Sequence, residues 1–487
     1  MSSVPREQPD YDWSRILPWT IIFRSLTPAC SISVIALALV GVVATPMGWI
    51  VSETVFINSQ EFLNNDPILA EIAEINRSPY KGVFLASENS QNKLEVLGTQ
   101  LSGPRLVFEQ MIKPFYAIFG GANTGREFLY FLFGCLWSIV VWSFIGLGIA
   151  RISLLRLTRN ERAGLDDAFD YAIEKFGTCF SAVAMPIGLA FLLCIPAFVF
   201  GLLLGYDFTA MLVGALWIVV LAIAFFMGLL LLGLMVGWPL VVSSVAAEGQ
   251  NAFDAITRSY AYTFQRPVHY FFYALIAVIF GGICWLIVYQ FTESVVRLSY
   301  WSTAWGANRV SAERIDEIQG ILPVGDLQSI SDITSQFQDP ALQTVDPLQQ
   351  TITPPGPEPD LSIGNEVDAL DETPAQSMAG MMIDEGDPFQ LVTAQVESSY
   401  LTNARRLIRF WTGFARTMAA AFIHGLFWCM ASSIYLLLRK DVDEMEMDEI
   451  YLIDERRTYD LPPLESDKDG IPQIQPLPMG NDPLDGA

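Results

Sequence analysis

The chain has 487 residues and a formal net charge of −24; 52% of its residues are hydrophobic and only 16% are charged, against about 25% charged in an ordinary soluble domain. With a mean hydropathy of +0.38 and several apolar runs long enough to cross a bilayer, this composition excludes a soluble enzyme, a nucleic-acid binder and a secreted disulfide scaffold. It predicts an all-α polytopic membrane bundle of about six transmembrane helices, with amphipathic interfacial helices and disordered acidic segments.

The charge is unevenly placed. Residues 293–404 carry 18 acidic and 3 basic side chains, residues 439–487 carry 14 and 5, and these two segments hold the entire excess. The rest of the chain, with 20 acidic and 20 basic side chains, is a near-neutral membrane domain. The acidic segments repel anionic lipid and nucleic acid and favour solvation. All six cysteines lie in or beside apolar runs, which predicts packing residues and no disulfide framework.

A spanning helix needs about 20 mostly apolar residues. After an N-terminal segment, 1–31, the first run is Ile32–Val51, a retained anchor and no cleaved signal. A polar region, 52–127, follows, with a helical patch at Pro67–Asn76 and an amphipathic aromatic stretch, Leu106–Phe119, suited to lying flat among headgroups. The core membrane domain, 128–292, holds four runs: Phe128–Ile149, Phe180–Leu204, Ala210–Val242 and Tyr270–Phe291. Only Gly205–Phe208 separates the second and third of these, which makes them an antiparallel hairpin. Ala210–Val242 exceeds one crossing; Gly237–Trp238–Pro239 is expected to bend or end it, and a split at its glycines into two half-helices is the alternative. The acidic loop 293–409 opens with an amphipathic helix, Ser299–Leu322, and continues through a Pro-rich stretch, 323–388, too polar to offset its ordering entropy. The last span lies within 410–438, and an acidic tail, 439–487, closes the chain.

Arginines near span ends set orientation. Arg6, Arg15 and Arg24, the group Arg151, Arg156, Arg159 and Arg162, and Arg439 with Lys440 fall on one side of a six-span chain, against Arg405, Arg406 and Arg409 on the other. This predicts a cell (inner) membrane protein with cytoplasmic N- and C-termini.

Two segments expected on the cytoplasmic face share Ala-Phe-Asp: Gly164–Phe176, with Asp170, and Gly249–Tyr260, with Asp254. Each precedes a span, and each reads as a helix lying along the membrane face. The pair is either a duplicated membrane unit or a chance tripeptide on two amphipathic helices. Glu248–Leu275 and Ile434–Leu452 resemble segments of uncharacterised multi-span inner-membrane proteins of planctomycete-type bacteria. The first segment is also similar to bacterial membrane domains of unknown function, including the one fused to some glycerophosphodiesterases. The resemblance covers Ile152–Tyr289 and the end of the chain. It implies no catalytic residues, because the metal-dependent phosphodiesterase domain is absent from this sequence.

Chemistry is sparse. With two histidines, His269 and His424, neither HExxH nor a pair of Glu-x-x-His motifs is available. There is no GxxxxGK[ST] and no GxSxG. No catalytic, cofactor or metal residues are therefore expected. Glu465, Asp467, Asp469 and Gly470 begin like a calcium loop, but Pro476 stands where the closing Glu belongs. The intramembrane candidates are His424 and Arg416, eight residues apart on one helical face. They either line a polar path, or Arg416 snorkels while His424 hydrogen-bonds a neighbouring helix. Asp170, Asp254, Arg258 and Arg266 are the candidate interfacial cluster, joined in sequence by Glu248; a solvated face is the alternative. The expected partners are the bilayer and a protein bound through 441–452 (DVDEMEMDEIYL), with no nucleic acid. The functional expectation is a non-catalytic scaffold or interaction protein, and the alternative is a transporter or permease subunit using the Pro/Gly-broken helices of 180–291.

Overall fold

The computed structural model describes residues 17–57, 75–78, 80, 84, 101–120, 124–161, 163–307, 388–447, 449–451, 465–466 and 472–473. It is an all-α bundle. Six described helices are long and apolar enough to cross a membrane, so the protein is a multi-pass membrane protein. Most of the expected patch at Pro67–Asn76, the acidic stretch 323–387 and the tail beyond 451 lie outside the described residues.

A 3-10 turn at Pro18–Thr20 and two single-turn helices lead into α1, Ile32–Phe56. Ser31 caps α1 by accepting from the Val34 amide at 3.3 Å. Helix α2, Gly103–Gly120, buries Val107, Ile112, Ala117 and Ile118. Its apolar face thus packs against the rest of the protein. Helix α3, Gly125–Thr158, opens on a capping box in which Glu127 N donates to Thr124 Oγ1 and Thr124 N to Glu127 Oε2, both at 3.3 Å.

Helices α1 and α3 are held together by reciprocal tryptophan–glycine contacts. Trp49 lies on Gly134 and Trp137 on Gly48, where any Cβ would overlap the indole ring. Trp137 Nε1 donates to Ala44 O at 2.9 Å and Trp49 Nε1 to Ser138 Oγ at 3.2 Å, so neither indole N–H is left unpaired in the apolar interior.

Helix α4, Leu165–Leu203, runs unbroken for 39 residues. Gly164–Phe176 is therefore the first third of a span and not a separate surface helix. The other Ala-Phe-Asp copy does form its own amphipathic helix, α7 (Ala252–Gln265). Between them stand α5 (Asp207–Ala215) and α6 (Trp217–Glu248). The break in the long fourth run falls at Leu216. Pro239 is carried inside α6, where its missing amide is tolerated, so the Gly237–Trp238–Pro239 stretch does not end the helix. Helix α8, Pro267–Ala307, absorbs the start of the helix expected from Ser299. Helix α9 spans Pro388–Asp443. A two-residue antiparallel ladder pairs Glu465 with Gln473 and Ser466 with Pro472.

The chain divides into two compact units, Met1–Glu293 with Phe414–Ala487, and Ser294–Gly413. In the second, Tyr300 Oη and Thr412 Oγ1 lie 2.8 Å apart. In the first, α9 is the central rod: 94% of its apolar stretch is buried, against 17% for α4 and 11% for α6. Ile423, Leu426, Trp428 and Cys429 of α9 are wholly buried. Large apolar side chains such as Leu192, Phe198, Phe225 and Phe226 are exposed along α4 and α6. In a helix of this length and composition, such a face contacts lipid.

Candidate functional site

Two features of the first unit collect its polar chemistry. One is a clasp at the C-terminal end of α6. A helix leaves its last carbonyls without intrahelical partners, and here three other segments supply donors. Tyr171 Oη of α4 donates to Val245 O at 2.7 Å. Arg151 of α3 donates from Nη1 to Ala246 O at 3.0 Å. The Tyr451 amide, beyond α9, donates to Ala247 O at 2.9 Å. Arg151 also donates from Nη2 to Tyr451 O at 2.7 Å, and its guanidinium sits 4.4 Å over the Tyr171 ring. A cation at a helix C-terminus is further favoured by the helix dipole. Gly249 makes the turn possible: its φ of +60° suits glycine, and a Cβ would meet the Tyr451 ring at 2.7 Å.

Glu248, the last residue of α6, is the anionic centre of the clasp. Tyr435 Oη donates to its Oε1 at 2.5 Å. Arg439 Nε stands 3.4 Å from Oε1, and Gln250 donates to Oε2. Arg258 Nη1 lies 2.5 Å from Oε2 as an ion pair without hydrogen-bond alignment. Asp443 receives Tyr262 Oη and lies 3.6 Å from Arg258. Asp441 accepts from Tyr273 Oη at 2.7 Å. Arg439 reaches forward to Glu449 O at 2.6 Å and to Met445 Sδ at 3.2 and 3.3 Å. Ile450 is buried in the core. On α7, burial raises the Tyr262 phenol, and the bond to Asp443 raises it further; burial alone brings Tyr260 up to about 12.

The second feature is a cavity of about 310 Å³ bounded by α2, α3, α4, α6 and α9. Its lining is apolar except for Ser138, Ser143 and the indole nitrogens of three tryptophans. Gly228 and Leu232 of α6, exposed on the lipid-facing side, form part of its rim. A second cavity of about 30 Å³ shares Met111, Phe115, Ser138 and Trp142 with it. The lining of this smaller space includes the polar side chains of Thr45, Asn76, Gln110 and His424. Asn76 Nδ2 and Gln110 Oε1 are buried there without hydrogen-bond partners.

The sequence candidates separate. Arg416 forms a bidentate pair with Glu293 of α8, at 2.9 and 3.2 Å, with Phe84 5.9 Å from its guanidinium. His424 stacks on Trp142 at 5.3 Å. Its Nδ1 lies 2.7 Å from Ala420 O of its own helix, so its backbone partner is intrahelical and not the neighbouring helix expected. The two have different partners and line no common path. Of the interfacial cluster, only Arg258 joins Glu248; Asp170, Asp254 and Arg266 are exposed and stand outside the network. In the stretch 441–452, expected to bind a partner, Asp441, Asp443, Glu449 and Tyr451 make hydrogen bonds within this chain. Sequence reasoning missed Arg151, Arg439, Tyr171, Tyr435 and Tyr451 as a group, because the arginines read as orientation signals. Among the described residues, no group of three or more His, Cys, Asp or Glu is placed to hold a metal.

Compared with protein-family models, curated proteins and solved structures, the chain finds no match in any of the three.

Proposed function

We propose that the protein is a non-catalytic scaffold of the inner (cytoplasmic) membrane of a planctomycete-type bacterium, with both termini in the cytoplasm. The clasp carries this reading. It spends Arg151, Arg258, Arg439, Glu248, Asp441 and Asp443 on docking the first residues after the last span against the helix ends. A segment so fixed defines where the remaining acidic tail leaves the membrane. The tail beyond Tyr451 then presents acidic recognition stretches to a basic protein partner. The apolar lining of the larger cavity weighs against a permease for charged solutes, whose path would need ionisable groups at that depth.

The test is purification in mild detergent of the full chain and of a chain ending after Tyr451, which keeps the clasp. A specific protein that co-purifies only with the full chain supports the scaffold. Identical partner sets, or none in either sample, overturn it.

A further inference from the structure

We propose that the two adjoining cavities, which share Met111, Phe115, Ser138 and Trp142 in their walls, form a binding site for a neutral lipid with a long hydrocarbon chain and a hydroxyl head. This goes beyond the scaffold reading and does not depend on it. The chain occupies the larger space. At about 310 Å³ it is roughly twice the 150 Å³ of an apolar cavity that stays dry and admits benzene, and it sits at the small end of ligand pockets. Its rim at Gly228 and Leu232 opens on the exposed, lipid-facing side of α6. The nearest solute is therefore the bilayer's own hydrocarbon.

The head occupies the smaller space. Its volume of about 30 Å³ suits a single hydroxyl, about the share of one water. Asn76 Nδ2 needs an acceptor and Gln110 Oε1 needs a donor. One hydroxyl is both. His424 adds an acceptor: a carbonyl only accepts, so the proton shared with Ala420 O sits on Nδ1, which leaves Nε2 as the ring's acceptor. A charged head is excluded by cost, because among the described residues lining both cavities there is no Lys, Arg, Asp or Glu to pair with it.

The test uses the full chain in phosphatidylcholine vesicles containing either a long-chain alcohol with a diazirine in its chain or a phosphatidylcholine carrying the same diazirine. After irradiation, labelled peptides are mapped by mass spectrometry. The alcohol is expected to label Met111, Met235 and Trp238, and the phospholipid to label only lipid-facing positions such as Leu192 and Phe198. Gly228→Trp fills the mouth of the larger cavity, and its Cβ has open space, so folding is preserved. It should cut cavity labelling by roughly tenfold and leave Leu192 and Phe198 unchanged. Gln110→Leu should lower labelling by the alcohol by roughly tenfold by removing the acceptor. Absent cavity labelling, or labelling indifferent to Gly228→Trp, overturns the site. Equal cavity labelling by the phospholipid, or no effect of Gln110→Leu, overturns the hydroxyl assignment.

Discussion

At the residue scale, Glu248 and Arg151 show how differently two buried ions can be satisfied. Glu248 faces two arginines and a tyrosine hydroxyl. Arg151 has backbone carbonyls as its partners, Ala246 and Tyr451. Removing one member of a buried pair leaves the other charge uncompensated, at a cost of about 3 kcal/mol or more. Glu248→Gln is therefore expected to lower the midpoint of thermal unfolding in detergent clearly. Arg151→Met strands two carbonyls and should cost about 2 kcal/mol by the same measurement. If either variant melts with the parent protein, the clasp does not contribute to stability. Neither role was legible beforehand: an arginine near a span end has the same sequence signature whether it meets headgroups or helix carbonyls.

At the element scale, the Trp49–Gly134 and Trp137–Gly48 contacts set how closely α1 and α3 approach. Gly48→Leu would push Trp137 off its place and break its bond to Ala44. The expected outcome is loss of monodisperse protein on size-exclusion chromatography, while Gly201→Leu, whose Cβ meets nothing within 4 Å, behaves as the parent. The docking of α7 has a pH signature. The Tyr262 phenol is raised by burial and by Asp443, so its neutral form is stabilised in the fold. That contribution is fully present below the unfolded tyrosine value of about 10 and is lost as pH rises through the higher folded value. Limited proteolysis between Gln265 and Pro267 should accelerate only above pH of about 10, and Tyr262→Phe should flatten that rise. Element identity was largely legible from apolar periodicity, but boundaries were not. The fourth run breaks at Leu216, two residues after Gly214 and with no Pro or charge beside it, and continues through Pro239, where the sequence suggested a bend or an end.

At the scale of the whole molecule, the protein separates a near-neutral bundle from acidic segments. The scaffold reading predicts reporter activity at a C-terminal fusion with a cytoplasmic indicator and silence with a periplasmic one; the reverse pattern would invert the topology. It also predicts that a chain ending after Tyr451 melts within a degree or two of the full chain, whereas one ending at Lys440, which loses Asp441, Asp443 and Tyr451, melts well below it. The difference between these two truncations separates the part of the tail that belongs to the fold from the part available to a partner.

The amino-acid sequence by itself determined that the chain is helical, has several runs apolar and long enough to cross a membrane, and concentrates its acidity in two segments. Each of these follows from local quantities, since about 20 apolar residues leave a backbone in lipid no alternative but helix. Only the tertiary structure decided which polar groups meet. Arg151 and Tyr451 are 300 residues apart, and Tyr435 and Glu248 are 187 apart. It also decided that Asp441, Asp443 and Tyr451 dock on their own bundle, and that spans from distant parts of the chain line a cavity. Hydrophobicity sums along a segment, whereas a hydrogen bond or a void depends on the position of groups brought together only when the helices pack.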